Sequence, residues 1–242
     1  MIDTEFISKI EEMAKPVILD VNGNKYSSKN IVPVFESTPL KLPIQSLTGI
    51  VDFILKSGDV KVEDVIVHIV SHDEVAIYSK LFGNFKQRDC YAFAKCEDMN
   101  FTFGKFYDSE SFNIAMQACF TEYDQSSKYG IAGIDKADVL KFSKSVCARA
   151  EAGVDDDGIT QEVTVKTSIV SKENAVLPNP VKLCPYRTFA EIEQPESSFV
   201  FRVNKDMNFA LFEADGGAWK NEARMRIKEY LTTAIPSLVV IA

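Results

Sequence analysis

Apolar residues recur along the chain with two different periods, and the changes between them divide it into blocks. Phe6, Ile10 and Met13 lie at helical spacing behind Asp3 and Thr4, either of which can cap a first turn, and Lys15-Pro16 ends that helix. PVILDV at 16–21 runs into Asn22-Gly23, where glycine supplies the positive φ of a tight turn, so a small hairpin is expected, continuing into IVPVF at 31–35. Pro39 and Pro43 punctuate a loop. Leu47, Ile50, Val51, Ile54 and Leu55 then repeat the i, i+3, i+4 pattern of a buried helical stripe, with Ser46 to cap its start and Gly58 its end.

From 62 to 103 the period falls to two, in VIVHIV, EVAIYSKLF, CYAFAKC and FTFGKF, which predicts an antiparallel meander with one long hairpin. Two helices follow. Phe112, Ala115, Met116, Cys119 and Phe120 form one stripe behind Ser109, and a helix from Asp135 carries Val139, Phe142, Val146 and Ala150 until Gly153 closes it. The acidic run Asp155-Asp156-Asp157-Gly158 reads as a surface loop before a long strand over about 159–171. A Pro-rich crossing, LPNPVKLCP, leads to three further strands in RTFAEI, SFVFRV and MNFALFEA. The last helix, over about 217–234, places Trp219, Ala223, Ile227, Tyr230, Leu231 and Ala234 on one face, Pro236 stops it, and SLVVIA adds a final edge strand.

Strands and helices grouped in blocks predict an α+β fold, with mixed, largely antiparallel sheets, a long β-hairpin and about five helices. No repeat or linker interrupts the chain, so residues 1–242 read as a single domain, with two interleaved lobes at about 1–105 and 106–242 as the alternative. A chain of 242 residues buries enough surface to fold without disulfide or metal. Five cysteines, scattered at 90, 96, 119, 147 and 184, fit free thiols in a reducing compartment. The first residues have neither the basic start nor the apolar run of a secretory signal, and no stretch suits a membrane span, which together predict a cytoplasmic protein without membrane contact. A net charge of −8 argues against general nucleic-acid binding, which depends on cations at phosphates.

Motifs for phosphate, dinucleotide or nucleophile-elbow chemistry are absent. The two histidines are His68, placed mid-strand, and His72, placed in the turn Ser71-His72-Asp73-Glu74. Cys90 and Cys96 are too far apart along a strand for a simple metal pair. Asp155 and Asp157 are the candidate ligands for a hard cation, against the plainer reading of a hydrated loop. Arg187, Arg202, Arg224 and Arg226 are the candidate ligand-binding residues, because one basic concavity made from them could hold a phosphate. No catalytic residue and no cofactor is assigned.

The segment NFTFGKFYDSESFNIAMQACF, followed in order by ADVLKFSKSVCARAE, TQEVTVKTSIVS, RTFAEI, SFVFRVNKDMNFALFEA and EARMRIKEYL, resembles the YfdQ-like family of uncharacterised prophage proteins. The resemblance spans about 60–231 and departs where that family's aromatic motif has tryptophan, for this chain has Phe101 or Phe103. It implies a bacteriophage or prophage origin and a product expressed in the bacterial cytoplasm, and it brings no catalytic residues. The order of a long hairpin, a long helix and a second β block also loosely resembles the phage major-capsid and encapsulin fold. That likeness implies a non-enzymatic protein whose partner is itself, in a large, shell-like homo-oligomer. The alternatives are an infection-stage binding module, which sequesters a nucleotide signal or contacts a host or phage replication protein, and a metal-dependent hydrolase.

Overall fold

The computed structural model describes residues 3–21, 24–29, 38–83, 86–97, 100–121, 136–147, 152–156, 161–166, 172–176 and 179–242. They divide into two compact units, Met1–Pro39 and Leu40–Ala242. The first holds helix α1 (Thr4–Ala14) and a hairpin of β1 (Ile18–Val21) and β2 (Asn24–Ser27), in which Val21 faces Asn24. Asp3 caps α1 by accepting from the Glu5 amide at 3.4 Å, and the Lys29 amine closes the other end on the Met13 and Ala14 carbonyls. That places a cation where the helix dipole favours one. None of α1 is buried: Phe6, Ile7, Ile10 and Met13 all stand exposed. The expected continuation at 31–35 lies outside the described residues.

The second unit opens with β3 (Leu42–Ile44) and α2 (Leu47–Lys56), whose cap Ser46 accepts from the Gly49 amide at 3.0 Å. Next come β4 (Val65–Ile69), β5 (Glu74–Ser79) and β6 (Cys90–Lys95), an antiparallel meander as expected. α3 (Ser109–Cys119) is capped by Asp108, one residue before the expected Ser109, and leads into β7 (Phe120–Thr121) and α4 (Lys136–Cys147). β8 (Ala152–Asp156), β9 (Gln161–Lys166) and β10 (Lys172–Val176) form a separate three-stranded antiparallel sheet. β11 (Val181–Pro185), β12 (Ser197–Val203), β13 (Phe209–Glu213), α5 (Trp219–Ala234) and β14 (Val239–Ile241) complete the chain. Among the described residues five α-helices with mixed and antiparallel sheets make this an α+β fold. No described helix is long and apolar enough to cross a membrane.

Two cores organise this unit. The five-stranded sheet runs β14-β4-β5-β6-β3, its two edge strands parallel to their neighbours. One face buries Val65, Val67, Ile69, Val75, Ile77, Ala92 and Ala94 under the stripes of α2 and α5. The hairpin therefore closes on the chain's own core. The four-stranded sheet runs β13-β12-β11-β7 and carries a largely aromatic core, in which the fully buried Phe112 stacks on Phe201 with ring centroids 5.7 Å apart. Phe189 and Ile192, which follow β11 in the chain, belong to the first core, so the two interleave.

Several expectations are corrected. FTFGKF is not a strand: it bends at Gly104, whose φ of +77° suits glycine, and turns Phe101 into the aromatic core. RTFAEI is a bend held by side chains. The Pro-rich crossing contains β11, and Pro43 lies on β3, tolerated because an edge strand need not pair every amide. Gly153, Asp155 and Asp156 lie on β8 rather than in a cap and a loop, with Asp155 opposite Glu162. Asp157, Ala150 and 167–171 lie outside the described residues, and the strand expected over 159–171 is described over Gln161–Lys166.

Candidate functional site

Where the ends of several strands meet the start of α5, a cavity of about 230 Å³ opens, walled by His72, Glu97, Phe103, Arg187, Trp219 and Lys220 among others. Its centre is Arg187, just after β11. The Arg187 Nη1 donates to Glu213 Oε1 at 2.6 Å and Nη2 donates to Ser197 Oγ, while the guanidinium lies 3.8 Å from the Trp219 ring centroid. Phe199 and Phe103 stand 5.5 and 5.7 Å away. The aromatic faces thus cage a cation that is only 5% exposed, and its desolvation lowers its pKa to about 10, still charged at neutral pH.

The bend that presents Arg187 is held by the buried Gln194, whose Oε1 accepts from the Arg187 and Thr188 amides at 3.0 and 3.3 Å, while its Nε2 donates to the Phe189 carbonyl at 3.0 Å. Thr188 Oγ1 reaches across to the His72 carbonyl at 2.5 Å and fixes the β4–β5 turn against the bend. Trp219 is delivered by Gly216 and Gly217, at φ +62° and +79°, a turn from β13 into α5 that side chains at those positions would strain. The Asp215 carboxylate accepts from the Gly217 amide at 3.0 Å and fixes that turn.

The His72 ring meets Trp219 edge-on, with centroids 4.6 Å apart, and its Nδ1 is 3.7 Å from Asp73 Oδ1. Burial lowers its pKa from 6.5; Asp73 opposes that, and Lys220, Arg224 and Arg187 reinforce it. An imidazole with a lower pKa folded than unfolded binds fewer protons when folded. Its contribution to stability is complete above pH 6.5 and is lost as pH falls through the folded value. The wild type is therefore expected to lose more thermal stability between pH 7 and 5 than His72→Gln, read as Tm across a pH series.

A second cavity, of about 580 Å³, adjoins the first and shares Cys96 and Glu97 with it. Cys119 lines it, and burial holds that thiol above its usual pKa. Cys184, buried nearby in β11, is pushed up to about 11. Neither is a ready thiolate at neutral pH.

Of the four arginines expected to share a concavity, Arg187 lines the smaller cavity and the others are placed elsewhere. Arg202 lies on β12 opposite Ala210, on the strand face away from Phe201. Arg224 and Arg226 are two residues apart on α5, about 200° around the helix. Arg226 is committed to Glu222 at 2.5 Å and to the Glu193 carbonyl at 2.8 Å. Arg224 Nη1 donates to Asn221 Oδ1 at 3.3 Å, and its charge reaches His72. His68 is half-buried on β4, its ring 6.4 Å from Tyr78. Among the described residues no cluster of three or more His, Cys, Asp or Glu side chains suits a metal ion. No family model, no curated protein and no solved structure matches the chain.

Proposed function

We propose that the protein is a non-enzymatic binding module, phage-encoded as its sequence resemblance implies, that holds a small anionic ligand in the cavity walled by Arg187, Trp219 and Lys220. One observation carries this. Arg187 Nε and Trp219 Nε1, both on this wall, are buried side-chain nitrogens without a hydrogen-bond partner, a state that Arg224 Nε and Asp215 Oδ2 share elsewhere among the described residues. Both groups on the wall are donors. Buried polar groups are rarely left unpaired, so what the wall lacks is acceptors. Lys220 adds an exposed amine 5.7 Å from the Trp219 ring centroid.

Thermal-shift titration against inorganic phosphate, nucleoside phosphates and dicarboxylates tests the reading. At least one anion is expected to raise Tm, with a stabilisation of about 2.7 kcal/mol at a hundredfold excess over Kd. Lys220→Ala is expected to weaken that anion about tenfold, the lower range for losing a hydrogen bond to a charged group. A flat response to every anion sinks the proposal.

Self-assembly is the second reading, and the exposed face of α1 favours it. Phe6, Ile10 and Met13 share one side of that helix at 59%, 51% and 77% exposure, and Val17 before β1 and Ile18 and Leu19 on it are exposed. Apolar surface of this kind usually meets a partner. Light scattering is expected to give a mass above 27.0 kDa that falls toward the monomer in a Phe6→Asp, Ile10→Asp double variant. A monomeric wild type at high concentration removes this reading.

A further inference from the structure

We infer that the ligand is a nucleoside phosphate lying across both cavities, its phosphate against Arg187 and Lys220 and its sugar and base in the larger chamber. This rests on the proposed anion site and deepens it. The smaller cavity, at about 230 Å³, falls below the usual range for ligand pockets of roughly 300–1,000 Å³, whereas its neighbour of about 580 Å³ lies within it. Cys96 and Glu97 line both, so the two cavities adjoin and their far ends are unlike.

The chemistry of the ends differs in the way a nucleotide differs along its length. Among the described residues Lys and Arg line only the small end, where Arg187 and Lys220 stand with the carboxylates of Asp73, Glu97 and Glu213. Among the described residues the wall of the large chamber carries no Lys or Arg; it offers the amides of Gln45 and Asn100, the Thr188 hydroxyl and two carboxylates, Glu97 and Glu191. Such a wall suits a neutral group rich in hydroxyls and ring nitrogens. One Glu191 oxygen already accepts from the Thr48 amide at 3.0 Å, and Glu97 stands where the cavities meet, placed to accept from sugar hydroxyls. Tyr186, 45% exposed, gives the same chamber a flat ring on which a base can stack.

Calorimetric titration of the full chain with inorganic phosphate, the four common nucleosides and their 5′-monophosphates tests this. The best monophosphate is expected to bind at least tenfold more tightly than phosphate and than its own nucleoside. In Tyr186→Ala the gap between monophosphate and phosphate is expected to shrink to within about threefold, because a half-exposed ring can be removed without opening a core. An unchanged melting curve confirms that this variant folds. Phosphate binding as tightly as every monophosphate overturns the inference and leaves the anion site standing; a gap unmoved by Tyr186→Ala also overturns it. If neither phosphate nor any monophosphate binds, the inference falls together with phosphate as the anion of the proposed site, and a dicarboxylate that still raises Tm keeps that site alone.

Discussion

Replacing Arg187 with methionine is expected to lower the unfolding free energy by about 2–4 kcal/mol, seen as a lower urea midpoint at unchanged slope. Breaking a buried ion pair typically costs about 3–5 kcal/mol because the partner is stranded. Glu213 is 41% exposed and can regain water, which brings the expectation down. The cage of Trp219, Phe103 and Phe199 and the Ser197 hydroxyl also lose their cation, which brings it up. Arg187→Lys is expected to recover only part of the loss, since an ammonium cannot reach Glu213 and Ser197 at once while lying flat on an indole. A methionine variant as stable as wild type would show that the guanidinium is not part of the scaffold and that its place on the cavity wall serves the ligand alone.

The second large effect belongs to the aromatic core. Phe201 is fully buried, with the rings of Phe112, Phe142 and Phe209 5.7, 5.8 and 5.9 Å from its own. Phe201→Ala is expected to cost about 3–5 kcal/mol, from lost transfer energy and from a cavity that interlocked rings cannot close. Against a total stability of roughly 5–15 kcal/mol, that leaves a protein near its unfolding threshold at 25 °C. Phe212, on the next strand with its ring 37% exposed, is the control: Phe212→Ala is expected to cost under about 1.5 kcal/mol. Equal losses at the two positions would mean that the four-stranded sheet is not held chiefly through the face that carries Phe201.

The contrast between these residues explains what sequence could and could not foretell. Helical stripes such as Leu47, Ile50 and Ile54, or Trp219, Ala223, Ile227 and Leu231, are buried as their spacing implies, and alternation in β4 gives alternate burial. Periodicity reports which side chains seek a core, and in these elements the backbone has one way to comply. In FTFGKF it has two, and the chain takes the bend at Gly104 rather than the strand. β3 and β14 are three residues each and exist only because β6 and β4, far along the chain, offer them an edge. The cavity draws on residues 72, 97, 103, 187, 213 and 219, which no spacing links. Arg187 was legible as a cation of interest, whereas Trp219 read as helix core and His72 as a solvated turn. The paired glycines before Trp219 were the signal available, since a double glycine leading into a helix marks a turn that something must require.

The placement of β14 bears on how this molecule is made. β4 gains its outer neighbour from residues 239–241, with Val239 opposite Ile66 and Ile241 opposite His68. During synthesis the antiparallel meander can form from nearby residues soon after it emerges, but one side of β4 stays an open row of amides and carbonyls until translation has passed residue 241. Contacts of such sequence separation slow folding, and an unpaired strand edge is the surface through which nascent chains aggregate. The nascent protein therefore carries an adhesive edge while residues 70–241 are being made, and a chaperone that covers β4 over that interval would protect its yield.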